Sequence, residues 1–497
     1  MNGLKRVQNP VMQAFLPASR TVAPEKPQAS AGFKAGGGAR GCSRTKTILG
    51  RWTLLTCVLA AGGPASWAQR PIPCSAEDVR LGTSSDASEP LPDPRSPRQR
   101  LTDMVQAALG RSDMLGAAAL TAEASESELK AAVAARAPQA SLSAGVGPSS
   151  TTSTGVTQSS LVQGQAALQV TQTLWDAGRN EALVDWRKWL AEAANQGRLS
   201  VQEQLAASTI SLALERSRYR HHVLIYGQYV RKMNCLVQAL QDVVAADRGR
   251  GSELVQATKS LQQAELSREQ AKSQLRQIEI RLRKLVGDGL PASNGLSSVL
   301  LTIPELDELR QSLEQSPDIS AITAQFNAAE RYAQSLEAAM KPQVSWTVGA
   351  NAALGAGGSS PHRGGSLSAG LSINVPLTLD GPRHVADSAR KRARATWLQR
   401  DEALSARRSR LDETHDQARA TFQRAQQIGT VLASSEQLRD FTLQQWQQLG
   451  RRSLFDVMAT ESEHYSLRVQ YVNALHDGQQ LNAALLSLGK GLGEWLR

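Results

Sequence analysis

The chain is written twice. Ala137-Pro138-Gln139-Ala140-Ser141-Leu142 recurs as Lys341-Pro342-Gln343-Val344-Ser345-Trp346, and one common offset also relates Asp176 to Asp380 and Arg179 to Arg383. At a slightly smaller offset, Gly249-Arg250-Gly251-Ser252 corresponds to Gly450-Arg451-Arg452-Ser453. Gly287 and Gly489 close the two copies in similar apolar settings. A duplication on this scale limits the chain to folds assembled from two like halves. The halves span about 101–290 and 305–492, joined by a linker over 291–304.

Both halves run through the same patterns in the same order. A helical stretch comes first, Leu101 to Arg136 or Ile303 to Met340, with apolar and Ala positions at three- and four-residue spacing. A proline follows each stretch and ends it. Two alternating segments come next, and then a long run without proline. No Pro stands between Pro148 and Pro291 or after Pro382, and Ala, Leu, Gln, Arg and Glu dominate. Arg383 to Leu449 as one helix reaches roughly 100 Å at about 1.5 Å per residue; Trp186 to Ala246 is nearly as long. The composition suits rods rather than one large globule: 41% of residues are apolar but only 4% aromatic. Each rod should fold back on a second helix at a Gly-Arg-x-Ser turn, with tips near 249–252 and 450–453 marked by Gly249, Gly251 and Gly450.

The alternating segments predict strands at about 139–146, 161–174, 343–355 and 366–377. Val344, Trp346, Val348, Ala350, Ala352 and Leu354 share one face; Gln343, Ser345, Thr347, Gly349 and Asn351 share the other. Leu367, Ala369, Leu371, Ile373 and Val375 alternate likewise with Ser366, Ser368, Gly370, Ser372 and Asn374. The first half repeats this more weakly. Membrane strands need about 9–11 residues, apolar toward lipid and polar toward a lumen. A membrane sheet tolerates no unpaired edge, and four strands cannot close into a barrel. The pattern therefore predicts several copies around one axis, without fixing their number.

The N-terminal stretch fits export. Arg44-Thr45-Lys46, the apolar run Trp52 to Gly63, and Ser66-Trp67-Ala68 read as a secretory signal cleaved after Ala68. Residues 1–68 are thus leader and signal peptide, and the Pro- and Ser-rich residues 69–100 a flexible arm.

No catalytic constellation emerges. The 7 His, including His221-His222 and His415, lack ligands at metal spacing and read as solvated helix faces. Cys42, Cys57, Cys74 and Cys235 show neither zinc spacing nor a disulfide framework. There is no phosphate-binding loop, so no enzyme, cofactor or metal is expected, and energy must come from a partner. A net charge of +11 is scattered, and the run Arg390-Lys391-Arg392-Ala393-Arg394 reads as a solvated helix face, not a nucleic-acid site.

The residues resemble the TolC-like outer-membrane factors. The likeness rests on Pro138-Gln139 and Pro342-Gln343 opening strands and on Leu174-Trp175-Asp176-Ala177-Gly178-Arg179 with Leu379-Asp380-Gly381-Pro382-Arg383 closing strand pairs. It extends to Gly450-Arg451-Arg452-Ser453-Leu454-Phe455-Asp456-Val457 at the second tip. The resemblance covers about 101–492. It implies a mostly α fold with membrane β, a homotrimeric α/β barrel with twelve membrane strands, and a helical tunnel through the periplasm of a Gram-negative cell. It also implies an inner-membrane ABC transporter, a periplasmic adaptor and outer-membrane lipid as partners. The expected function is the outer-membrane channel of type I secretion for an RTX toxin such as adenylate cyclase-haemolysin (cyclolysin). Multidrug efflux is the alternative, and a surface coiled-coil adhesin the rival of another class. By the same resemblance Arg452 and Asp456 occupy gate positions. The chain departs from the pattern at Ala459, where a second acid can stand, and Glu253 is the nearest carboxylate on the first tip.

Overall fold

The computed structural model describes residues 95–153, 156–356, 362–449 and 451–497, all within the compact unit Arg70–Arg497. The leader, the cleavage point after Ala68, most of the arm and Gly450 lie outside the described residues.

Helix α1 (Pro97–Arg111) begins inside the stretch expected as an arm to residue 100. Its start is set by a capping box: Ser96 Oγ accepts from Gln99 N–H at 3.2 Å, and Ser96 N–H donates to Gln99 Oε1 at 2.9 Å. The expected single helix Leu101 to Arg136 is two. Ser112 takes an extended conformation, and its hydroxyl accepts from Leu115 N–H at 3.2 Å, capping α2 (Asp113–Ala134).

Strands β1 (Gln139–Ser153) and β2 (Val156–Trp175) follow, then α3 (Arg179–Ala246, 68 residues) and α4 (Gly251–Val286). Asp176 shapes the β2–α3 junction: its carboxylate accepts from Gly178 N–H at 3.1 Å and from Asn180 N–H at 2.7 Å. Gly178 sits at φ 86, a conformation that favours glycine.

The second half runs α5 (Leu306–Ser312), α6 (Pro317–Ala338), β3 (Gln343–Ala356), β4 (His362–Asn374), α7 (Asp380–Leu449, 70 residues), α8 (Leu454–Leu488) and α9 (Leu492–Leu496). Strand β4 ends earlier than the expected 377, before Pro376, which has no N–H for the ladder. Strands β1 and β2 instead extend past the expected ends at 146 and 161 through Ser- and Thr-rich residues, with Ser153 paired to Val156.

Helices α2 and α4 both pack on α3, and α6 and α8 both pack on α7; α6 and α8 also contact α3, which joins the halves. Packing is by alanine and larger aliphatic residues at seven-residue intervals: Ala257, Ala264, Ala271 and Ile278 are buried in α4, and Leu404, Leu411, Ala418 and Ala425 in α7. A seven-residue repeat holds one seam toward a partner only if the helices supercoil left-handedly. The linker is pinned to α8: Gln479 Nε2 donates to the carbonyls of Leu296 at 2.9 Å and Val299 at 2.6 Å, and Asn482 Nδ2 to Leu300 at 2.7 Å. Cys235 in α3 is disulfide-bonded, where the sequence pattern suggested no pairing.

Helix α8 packs tightly on α7 at Gly478, where an added Cβ would lie 2.8 Å from the Phe422 ring. Gly478→Ala should therefore destabilise the fold by about 1–3 kcal/mol through overpacking. A lowered thermal midpoint, recovered when Phe422→Leu is combined with it, is the expected result; an unchanged midpoint would show that the ring swings aside freely.

Candidate functional site

The four strands form one antiparallel sheet in the order β1-β2-β3-β4, and its registers align like with like. Leu142, Leu168, Ala350 and Leu367 are cross-strand partners in one row; Ala140, Val170, Val348 and Ala369 form the next. The opposite face carries rows such as Ser141, Gln169, Gly349 and Ser368. A slip of one residue in any pairing would mix the faces, so the register is strongly specified. Side chains that normally hide from water stand open: Leu142 is 76% exposed, Leu367 80% and Leu371 73%. The polar face is stitched by short side chains, with Thr171 and Thr347 hydroxyls 3.4 Å apart and Ser345 and Ser372 hydroxyls 3.4 Å apart. On the apolar face Trp346 satisfies its indole N–H by donating to Gln172 Oε1 at 3.1 Å. Among the described residues strands β1 and β4 each pair on one side only, so the sheet has two open edges. Among the described residues no helix is long and apolar enough to cross a membrane.

At the far end of the rods, Leu454 of α8 is fully buried against Met233, Leu236, Leu240, Ala257, Leu443, Val457 and Met458. The two candidate gate residues lie outside this knot. Arg452 Nε donates to Gln445 Oε1 at 3.2 Å, and its guanidinium is 3.9 Å from the Asp456 carboxylate. Asp456 completes a capping box with Ser453: Asp456 N–H donates to Ser453 Oγ at 3.2 Å and Ser453 N–H to Asp456 Oδ2 at 3.3 Å. Both residues are about half exposed and bonded within their own turn. Glu253, the nearest carboxylate on the first tip, is held by Arg250 through bonds of 3.1 and 2.9 Å. Gly249 lies in the 3-10 turn Arg248–Arg250, and Gly251 opens α4 at an ordinary helical φ of −57. Gly251 is therefore not required for its backbone conformation. The basic run of α7 is paired along the surface, Lys391 with Asp387 at 2.8 Å and Arg390 with Glu337.

One constellation escaped the sequence analysis. The seam between α3 and α8 is filled with polar side chains. Glu461 (0% exposed) is 3.2 Å from Lys232 (6%), and Gln228, His464, Arg468, His476 and Gln479 are also buried. His222, expected on a solvated face, is buried there too. A single helix of 68 residues that packs on α2, α4, α6 and α8 in turn has no one apolar stripe. The buried face of His222 therefore cannot be picked out by periodicity. Among the described residues no group of three or more His, Cys, Asp or Glu is placed to hold a metal.

Known proteins share this architecture. The model of the outer membrane efflux protein family matches residues 104–288, nearly the whole first repeat. Outer membrane efflux protein BepC of Brucella suis biovar 1 (strain 1330) is 21% identical over 336 residues, 65% of this chain and 71% of that protein. The solved structure of outer membrane protein VceC from Vibrio cholerae superposes with a TM-score of 0.68 at 19% identity, covering 78% of this chain and 96% of its own. The structure of CusC gives a TM-score of 0.70 at 16% identity, covering 78% of this chain and 92% of its own. Over its first repeat the chain is therefore similar to outer membrane efflux proteins, and its mostly helical fold with a small antiparallel sheet matches the fold of these outer-membrane channels.

Proposed function

We propose that the chain is one subunit of a ring-shaped outer-membrane channel that carries cargo out of a Gram-negative cell. The observation that carries this reading is the exposed apolar face of an open-edged sheet, backed by a face of small polar residues. In a ring, β1 of one copy pairs with β4 of the next and no backbone group is left bare in lipid. The helices support the same contact. Among the described residues α6 lies between α3 and α7 and buries Ile319, Ala324 and Ala328, whereas its repeat partner α2 packs chiefly on α3 and buries no residue. Met114 and Leu120 of α2 stay exposed on one flank, and Val385 and Leu398 of α7 on the other. Joining those flanks head to tail generates a ring if the rotation closes. Three copies close it with twelve strands, the number the resemblance implies. Mass measurement in mild detergent tests this: a trimer is expected, and a stable membrane-inserted monomer sinks the reading.

The cargo proposed is a protein toxin, handed over by an inner-membrane ABC transporter through a periplasmic adaptor. Small-molecule efflux is the second reading, favoured by the efflux description that BepC and the matched family carry. Deleting the gene separates them: loss of a secreted protein with unchanged drug sensitivity supports the first, and drug hypersensitivity with intact secretion supports the second.

At the tip, ring symmetry repeats Asp456 around one axis, and we propose that this makes a cation-selective constriction held by Arg452. Asp456→Ala should weaken cation preference in planar bilayers, and Arg452→Ser should raise resting conductance. Asp456 also caps α8, so Asp456→Asn, which keeps a capping oxygen, separates the roles. Full cation preference in both Asp456 variants, with unchanged conductance in Arg452→Ser, would mean that the pair only finishes a helix turn.

A further inference from the structure

The middle of the α3–α8 seam differs from its two ends. Below it lies the apolar knot around Met233, Leu236 and Leu454; above it lie Ile210, Leu214 and Ala483. Between them the packed apolar cluster is small, Ile225 with Tyr465 and Val472. The rest of that middle section is titratable. His221 of α3 stands with its ring centroid 5.7 Å from that of His476 on α8. His222 sits one residue on, edge to face with Tyr219 and Tyr226. His222 is 8% exposed and His476 1%. His221 Nδ1 is 2.8 Å from the Ser217 carbonyl and His476 Nδ1 3.0 Å from the Val472 carbonyl, so Nδ1 is the protonated nitrogen in each neutral ring. Among the described residues the Nε2 atoms of His222 and His476 are buried without a hydrogen-bond partner, although the His222 side chain is also hydrogen-bonded with Asn473 of α8. An imidazolium at either place would need a partner there.

The surroundings offer little to receive that charge. From α3 the cluster meets Arg218, whose guanidinium is 2.5 Å from Asp477 of α8. Asp477 also shares a surface pocket with Arg424 of α7. From the α4 side, Glu279 is already paired with Arg216 at 3.2 Å, and Arg220 turns to Ser293 of the linker. Further down the seam Glu461 faces Lys232, with His464 and Arg468 buried nearby. Cations thus surround the histidines, and each nearby carboxylate has its own cation.

We propose that the buried His222 and His476, packed beside His221, make the α3–α8 seam an acid-released latch, in which proton uptake by these two rings crowds cations around Asp477 and parts the two helices over their middle section. Burial, then Arg218 and His221, hold His222 down to about 4 against a hydrogen bond with Asn473; burial, then His221, Arg218 and His222, hold His476 down to about 3 against its bond to the Val472 carbonyl. Once the helices separate, each ring regains water and its ordinary value near 6.5. The closed seam is therefore fully favoured above pH 6.5 and loses ground as pH falls from 6.5 toward 4. Between pH 7.5 and 5.0 the separated form should gain about 30-fold for each of the two buried histidines.

Amide hydrogen exchange on the full chain in detergent reads this directly. Over residues 214–229 and 468–479, protection corrected for intrinsic rates should fall on moving from pH 7.5 to 5.0, by about 30-fold per buried histidine. The variant His222→Gln with His476→Gln should hold its protection at both pH values. If that double variant fails to assemble, each single variant should show about a 30-fold smaller response than the parent. Equal protection at the two pH values in the parent overturns the latch. So does a full response in the histidine variants, which would hand acid sensitivity to carboxylates such as Glu461. A rise in single-channel conductance at pH 5.0 that the double variant lacks is also expected. That arm rests on the channel reading, whereas the exchange arm stands even if no channel is found.

Discussion

Leu367→Arg should prevent a heat-resistant assembly from forming, while Ser368→Arg, one residue along the same strand, should leave assembly intact and alter conductance. The two positions share a depth and differ only in face. Leu367 lies in the row of Leu142, Leu168 and Ala350, and is 80% exposed. Ser368 lies across the sheet from Gly349 and donates to its carbonyl at 3.4 Å. Arginine toward lipid costs about 2–4 kcal/mol near the bilayer midplane, falling to about 0–1 near the interfaces. Both residues sit near the middle of β4, where the larger figure applies, and a ring multiplies it by the number of copies. Val348→Arg on β3 should behave as Leu367→Arg does. Gel mobility without boiling reports assembly, and bilayer recording reports conductance. If the Leu367 and Ser368 variants assemble equally well, the apolar face does not meet lipid.

The sheet was the most legible part of the chain because strand alternation is a two-state code. Once Leu367 faces outward, Ser368 faces inward, and cross-strand pairing carries that choice to all four strands. The rods were legible in length, since absence of proline and strong helix formers suffice. Their breaks were less so. Ser112 ends α1 through one hydroxyl bond, a choice that the surrounding apolar spacing does not reveal. Strand ends moved for a similar reason: pairing with a neighbour extends β1 and β2, while Pro376 stops β4 short. The tip residues Arg452 and Asp456 were singled out by resemblance, and their local bonds to Gln445 and Ser453 could not be foreseen from it. The polar seam was invisible, because which face of α3 meets α8 depends on the packing of the second repeat against the first.

That seam carries the other large effect. Lys232→Met should destabilise the chain by about 3–5 kcal/mol, whereas Lys232→Met combined with Glu461→Leu should be near neutral or stabilising. The pair is 3.2 Å apart with both side chains almost wholly withdrawn from water, so mutual attraction offsets a large desolvation cost in each. Removing only the ammonium leaves the Glu461 carboxylate in the seam without that cation. Removing both replaces the pair with side chains of similar reach near Tyr229, which itself packs on Ile225 and Tyr465. Thermal unfolding of the single and double variants measures the difference, and the double variant must recover most of the loss. A polar pair at a helix seam that adds little net stability can still fix register, because an offset partner would leave a buried charge unmatched. The double variant then retains stability while its α3–α8 alignment loosens, seen as lower exchange protection around residue 232 than in the parent. If the single variant is as stable as the parent, water reaches Glu461 and the seam is not dry. If the double variant is as unstable as the single, the loss comes from packing volume rather than from charge.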